Sequence, residues 1–337
     1  MSLQKIPKCV IHEFCKYLDK DGICKFSACN KWLREKIKPY IEKNFYLNLH
    51  KINKGEKVEK LGVKFPFENY KKLIVRDLSW FENKSLINLA YLTFGYYFNQ
   101  PVNLEHLINL THLIFGHDFD HPPVKSNYLI NLTFGRYFDR PVNFNCLINL
   151  THLTFGYYFN QPVNLEHLVN LTHLTFGGKF NQPVNLDRLI NLTHLTFGHY
   201  FNQPVDFKHL VNLTHLSFIG DFNQLVDLKH LINLSHLYFG YYFNQPVNFK
   251  NLINLTHLTF SGCFNQPVNF EHLINLTHLS FGHYFNQPVN LDCLINLTHL
   301  TFRECFNQVF SIKKLVNLEY LALPNDHALF GFFSHQK

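Results

Sequence analysis

From about residue 86 onward, two apolar spacings recur together every 21 residues. In the unit from Leu147 to His167, the run Leu150-Thr151-His152-Leu153-Thr154-Phe155 alternates, with Leu153 and Phe155 on one side and His152 and Thr154 on the other. That period of two predicts a short strand with one buried face. After Gly156 and two variable residues comes Phe159-Asn160-Gln161-Pro162-Val163. Pro162 has no amide to donate, so this stretch is expected to turn the chain away from the sheet. Phe159, Val163 and Leu165 are then available to fill the space behind the strand. Copies start at Leu147, Leu168, Leu189, Leu210, Leu231, Leu252, Leu273 and Leu294, with looser ones at Leu86, Leu107, Leu129 and Leu315. The copy at Leu107 has gained a residue at Pro122-Pro123, and the copy at Leu129 lacks a His-Leu-Thr.

One strand this short cannot hide its apolar face alone. Copies stacked in parallel, ~4.8 Å apart, share one continuous core. A period of 21 residues with an L-x-x-L-x-[L/F] core resembles the leucine-rich repeat. The expectation for residues 86–323 is therefore a leucine-rich-repeat-like solenoid of about 12 units with a parallel β-sheet on one face. Tyr70 to Asn83, containing Leu73-Ile74-Val75, reads as a degenerate first unit within a linker and capping segment, 49–85. At the other end, Leu318 to Leu323 reads as a last strand, and the Phe-rich segment 324–337 as a cap or tail. Atypical end units are what an open-ended core requires.

Three polar columns run through the copies. Asn occupies one position from Asn88 through Asn317, and a second Asn follows the Phe in most units, as at Asn160, Asn181 and Asn202. Stacked turns strand backbone donors and acceptors, and an amide side chain can satisfy both, so these ladders read as structural. The third column is His112, His152, His173, His194, His215, His236, His257, His278 and His299. In-register side chains point the same way and cannot converge tetrahedrally on zinc, so no metal and no cofactor are expected. These histidines read as an outward polar ladder supplying interaction area. Like charges so close predict that folding depresses their pKa values and that stability falls below about pH 6.5.

Variation concentrates at the two residues before the repeated Phe. They are Tyr157-Tyr158, Gly178-Lys179, His199-Tyr200, Gly220-Asp221, Tyr241-Tyr242, Gly262-Cys263, His283-Tyr284 and Glu304-Cys305. Mixed aromatic, flexible and charged residues beside a sheet face suit recognition of a partner. The expected face for a bound protein thus comprises His152, His173, His194 and His215 with Tyr157, Tyr158, Lys179, His199, Tyr200, Asp221, Tyr241, Tyr242, His283 and Tyr284. A second variable pair, such as Glu166-His167, Asp187-Arg188 and Lys208-His209, is placed on the outer side as solvated surface.

Composition narrows the function class. The chain has 337 residues, 36 of them Phe and one Met, which is the skew of a short unit copied many times. Its formal charge is +7, but residues 1–85 hold 19 Lys/Arg against 10 Asp/Glu and residues 86–337 hold 12 against 14. A solenoid that tracked phosphates would carry its basic residues along the array, so no nucleic-acid partner is expected. The eight cysteines form no even framework and no CxxC, which reads as free thiols in a reducing compartment. Residues 1–20 contain no apolar core of signal-peptide length and no stretch reaches membrane-spanning length, so an intracellular, cytoplasmic protein with no membrane partner is expected. On that basis the ten Asn-Leu-Thr/Ser triplets are by-products of the repeat rather than glycosylation sites. No GxSxG, P-loop, HExxH or spaced Cys/His pair is present, so the chain is not expected to be an enzyme.

Residues 1–48 follow another rhythm. Val10, Ile11, Phe14, Tyr17 and Leu18 recur at helical spacing, Asp19-Lys20-Asp21-Gly22 interrupts, and Ile23, Phe26, Cys29, Trp32 and Leu33 resume. A small α-helical module of about three helices is predicted, too small to bury its apolar faces without a partner or the array. Ile6-Pro7, Val10-Ile11, Phe14, Tyr17-Leu18-Asp19, Asp21, Ile23, Phe26 and Cys29-Asn30-Lys31-Trp32-Leu33 resemble the F-box. The repeat resembles the FNIP unit, seen as Phe98-Asn99-Gln100-Pro101 and again at Phe159, Phe180, Phe201, Phe243, Phe264 and Phe285. The copies at Phe222 and Phe306 replace the Pro by Leu225 and Val309. An F-box-like module followed by such repeats resembles the F-box and FNIP repeat-containing family of giant viruses and social amoebae.

That resemblance implies a substrate-recognition subunit of a Skp/cullin/F-box ubiquitin ligase, placed in the host cytoplasm if the chain is viral. Pro7, Val10, Ile11, Phe14, Leu18 and Ile23 would meet a Skp-family adaptor, and the repeats would hold an unknown client protein. The alternative is a scaffold or sequestering protein that uses the repeat face with a vestigial F-box.

Overall fold

The computed structural model describes residues 86, 88–121 and 126–324, together with two backbone strands at 47–48 and 72–75. The helical module expected at 1–48 otherwise lies outside the described residues, as does the tail after Pro324.

Among the described residues, fourteen parallel strands form a single sheet in strict chain order, from β1 (Leu47–Asn48) and β2 (Lys72–Val75) to β14 (Tyr320–Ala322). Neighbours pair in register, so that His236 lies beside His257 and Leu237 beside Leu258. The sheet therefore begins at the last two residues of the segment read as an F-box-like module.

One coil shows how the sequence builds the rest. In β6 (His152–Thr154), Leu153 and the following Phe155 are buried, while His152 and Thr154 are half-exposed. The chain then turns through Gly156-Tyr157-Tyr158-Phe159, closed by the Phe159 amide on the Gly156 carbonyl at 3.2 Å. Asn160 to Val163 run on without a turn, with Pro162 exposed. This corrects the expectation that the Phe-Asn-Gln-Pro-Val stretch would itself make the turn. Its backbone hydrogen bonds pass through the Asn column rather than a ladder, so Pro's missing amide and fixed φ cost nothing there.

The coils at Leu225 and Val309 support that reason. Without their Pro they keep the same tie, Asn223 N–H to Asn202 Oδ1 at 2.9 Å and Asn307 N–H to Asn286 Oδ1 at 3.0 Å. Beyond Val163, the Asn164 side chain accepts the Glu166 amide. Two successive tight turns then bring Leu168 N–H to Leu165 O and Leu171 N–H to Leu168 O, at 2.9 and 3.0 Å. Three residues per turn keep Leu165, Leu168 and Leu171 on one inward line.

A regular coil thus sends six side chains inward. In one of them Leu168, Leu171, Leu174, Phe176, Phe180 and Leu186 are all at most 2% exposed. Full burial of such a side chain contributes roughly 1.5–3 kcal/mol, and one contiguous cluster runs from Leu86 to Leu315. Phe176 stacks on Phe197 at 5.4 Å, and Phe180 on Phe201 at 6.0 Å. On the opposite side of the strand the His rings sit only 4.1–4.3 Å apart. The coils fan open toward the Phe side, which makes the sheet the inner, concave face.

The shortened copy is absorbed without breaking the sheet. In β5 (Asn131–Thr133), Asn131 takes the place of the missing histidine between His112 and His152. The last coil is less covered than the others: Leu318, Leu321 and Leu323 are only partly buried, whereas Leu297 and Leu300 are fully buried.

Candidate recognition face

The concave face carries three parallel columns, and the sequence order within one strand fixes them. His152, His173, His194 and His215 begin four successive strands and form part of an eight-ring stack running on to His299, adjacent rings being within 11–12° of parallel. Each ring is tied at Nδ1 to the Thr or Ser just before it. Thr172 Oγ1 lies 2.9 Å from His173 Nδ1 and 3.0 Å from the Thr151 carbonyl. Two oxygens at that distance need a proton between them, and only the hydroxyl can supply it. The imidazole therefore donates from Nδ1 and leaves Nε2 as a bare acceptor.

Burial first, and other imidazoles of the column second, push the pKa values of His173, His194, His236, His257 and His278 down. His215, at the middle of the stack, falls to about 4. The column is more a part of the scaffold than an open polar ladder, since one nitrogen and both ring faces are used internally.

The second column is Thr154, Thr175, Thr196, Ser217, Tyr238 and Thr259, half-buried on the same face. The third lies at the turn beyond the strand, where the variable pairs sit. Tyr157 and Tyr158 meet edge to face with centroids 5.0 Å apart, as do Tyr241 and Tyr242. His283 and Tyr284 are 4.6 Å apart, and His199 and Tyr200 are tilted at 42°. Lys179 Nζ stands 3.9 Å over the Tyr200 ring, and Asp221 lies 3.6 Å from His199 Nδ1. Every residue assigned from sequence to the array face is thus on the concave side or its turn edge. The six residues expected to meet an adaptor, Pro7, Val10, Ile11, Phe14, Leu18 and Ile23, lie outside the described residues.

Two features escaped the sequence reading. The earlier units continue the aromatic edge: Tyr96 packs on Tyr97 and His117, and Arg136 lies over Tyr157. On the outer side, Ile148, Val169, Ile190, Val211 and Ile232 form an apolar column about half exposed. Its signal was the second letter of Leu-Ile-Asn-Leu, an apolar residue at a position that the three-residue turns point outward.

Other candidates reduce to scaffold. A shallow groove of about 790 Å³ is lined by Asn254, Asn275, Asn296 and Thr256, Thr277, Thr298 among others. Those polar groups are already engaged in the inter-coil ladders. Among the described residues no three His, Cys, Asp or Glu side chains are grouped to hold a metal, and no helix is long and apolar enough to cross a membrane.

No family model matches the chain, and no curated protein matches it at a significant level. Solved structures do resemble it. CroV588, described as a novel circular LRR protein, superimposes with a TM-score of 0.63 at 36% identity over 76% of this chain. An internalin (inlF) from Listeria monocytogenes gives 0.57 at 17% identity, over 72% of this chain and 83% of its own. TLR13, in its complex with ssRNA13, gives 0.58 at 17% identity over 76% of this chain. The fold is that of leucine-rich-repeat proteins. The matched part amounts to 43% of CroV588 and 44% of TLR13, so this leucine-rich-repeat array spans less than half of either. At 17% identity the likeness to the internalin and to TLR13 concerns the fold alone.

Proposed function

We propose that this chain is a non-catalytic protein-binding receptor that holds its client along the turn edge of the concave face. One observation carries the reading. The scaffold columns repeat nearly unchanged from coil to coil, while the exposed or half-exposed residues at Tyr157-Tyr158, Lys179, His199-Tyr200, Asp221 and their equivalents vary in ring, charge and size. Large amphipathic rings with scattered charges are the side chains that dominate protein recognition. The near neutrality of the array argues against a polyanionic partner.

The finer reading makes the chain the substrate-recognition subunit of a Skp/cullin/F-box ubiquitin ligase. It rests on the resemblance of residues 6–33 to the F-box. In that reading Pro7, Val10, Ile11, Phe14, Leu18 and Ile23 dock on the adaptor while the array holds the client.

Two measurements on the full chain separate these levels. A photo-cross-linker at Tyr158 is expected to capture a partner that one at Ile190, on the outer side, does not. Capture only through Ile190 would place the client elsewhere and overturn the receptor face. Replacing Phe14 and Leu18 by Ala is expected to abolish recovery of a Skp-family adaptor; unchanged recovery removes the ligase assignment and leaves a scaffold.

A further inference from the structure

The variable pairs are not random along the array. From Tyr157 to Cys305 they alternate, with a period of two coils, between ring-bearing and ring-free pairs. Tyr157-Tyr158, His199-Tyr200, Tyr241-Tyr242 and His283-Tyr284 fall on one set of coils; Gly178-Lys179, Gly220-Asp221, Gly262-Cys263 and Glu304-Cys305 fall on the other. The structure gives the alternation a shape. The first residue of each of the first three aromatic pairs lies over the glycine of the next coil: a β-carbon at Gly178 would run into the Tyr157 ring, and one at Gly220 or Gly262 into both the backbone carbonyl and the ring of His199 or Tyr241. Tyr241 reaches across its glycine coil far enough for the Tyr284 hydroxyl to push its pKa up.

The second ring of each pair stands up from this floor. Tyr158, Tyr242 and Tyr284 make angles of 76–82° with their partners, and Tyr200 makes 42°. These four wall rings are 37–52% exposed. The result is a row of notches, each floored by one aromatic ring, walled by tyrosines and two coils long.

A row of equal notches gains affinity from all its members only when the ligand repeats at the same spacing. Where adjacent coils both carry a tyrosine in this column, Tyr137 and Tyr158, the centroids are 4.9 Å apart, so two coils measure about 10 Å. A polyproline II helix advances ~3.1 Å per residue with three residues per turn, or ~9 Å per turn. One turn of such a helix fits one notch. Its backbone is free of internal hydrogen bonds, and aromatic-lined surfaces take up proline rings without an ordering penalty on the ligand. Tyrosine hydroxyls can donate hydrogen bonds to its free carbonyls. An upright wall at the end of every notch obstructs a broad sugar chain that needs an open, flat ring surface.

We infer that the alternating tyrosine edge is a docking track for a proline-rich polypeptide segment in the polyproline II conformation, lying along the solenoid axis with one turn per two coils. The inference rests on the receptor reading and names the kind of segment the client would present. Asp221 and Lys179, on the intervening coils, would then select among such segments by charge.

The test is fluorescence anisotropy of labelled oligoproline peptides two, three, four and five helical turns long against the full chain. Binding is expected to tighten with each added turn up to the third, which completes the span of the three notches between the four wall tyrosines. A Gly-Ser peptide as long as the longest oligoproline should show none. Y158S, Y200S and Y242S are each expected to weaken the four-turn peptide tenfold or more, with folding checked by circular dichroism. I190S removes an exposed apolar side chain of the outer column, away from the concave face, and should leave binding unchanged.

Absence of oligoproline binding overturns the inference, as does equal binding of the Gly-Ser peptide or a preference for a neutral β-linked oligosaccharide. If a protein cross-links through Tyr158 while oligoproline fails to bind, the track falls and the receptor reading stands. If neither occurs, both fall.

Discussion

His215 hydrogen-bonds through Nδ1 to the hydroxyl of Thr214, its own predecessor, at 2.9 Å, and that hydroxyl bridges to the Thr193 carbonyl one coil back at 3.0 Å. The pair holds the ring against its neighbours, 4.1 Å from His194 and 4.2 Å from His236. Protonating it adds a charge to a stack of like groups in a partly desolvated row, which is why it stays neutral down to about pH 4.

The sign of the pH dependence follows. Unfolded histidines take up protons near pH 6.5, and the folded column takes them up only at lower pH, so the unfolded chain binds more protons in between. The stability contribution is complete above about pH 6.5 and is lost as pH falls toward about 4. The thermal midpoint is expected to drop across that window by circular dichroism. H215N, which copies the residue already present at Asn131, should flatten the drop. A midpoint constant from pH 7 to 4.5 would contradict the neutral stack.

The two Asn ladders work in opposite senses. Asn181 Oδ1 accepts the Asn202 backbone amide at 2.9 Å, whereas Asn191 Nδ2 donates to the Val169 carbonyl at 2.9 Å. N181D should therefore be tolerated, as Asp139 already serves the Asn160 amide. N191D should destabilise, because it turns a donor into an anion facing a carbonyl, and N181A should cost about 1–3 kcal/mol by leaving an amide unsatisfied. Urea unfolding of the three variants gives the order. Equal loss for the two Asp variants would refute the assignment.

Gly156 is needed for space. A β-carbon there would fall on the Gly135 carbonyl of the coil below, which is backbone and cannot swing aside. G156A is expected to destabilise by about 1–3 kcal/mol through forced separation of two coils. G178A meets only the Tyr157 ring and should be milder. Reversal of that order in urea melts would show that the coils are not in contact at this column.

Phe180 is fully buried between Phe159 and Phe201, 6.1 and 6.0 Å away. F180A should cost about 3–5 kcal/mol. F310A should cost less, because Phe310 is already 8% exposed and lies near the partly buried Leu318, Leu321 and Leu323, so less burial is lost. Equal losses in denaturant melts would argue against that difference in burial.

The sequence by itself determined the repeat length, the strand position and its inward face. Leu153 and Phe155 against His152 and Thr154 is a period that only a strand can satisfy, and copying it at a fixed interval leaves stacking as the way to bury it. The Asn ladders were legible for the same reason, since stranded backbone groups must be paired. The place of the turn was decided by the tertiary structure. Pro162 marks a residue that needs no partner, but whether it sits in a turn or an extended run depends on the coil below, which supplies Asp139 in place of a strand.

The reading of the variable pairs changed most. In sequence, Gly178 is one flexible member of a recognition column; in the structure it is the space that the Tyr157 ring occupies. Such a relationship joins side chains a whole repeat apart, and it exists only once the coils are brought into contact and their steric demands must be met together.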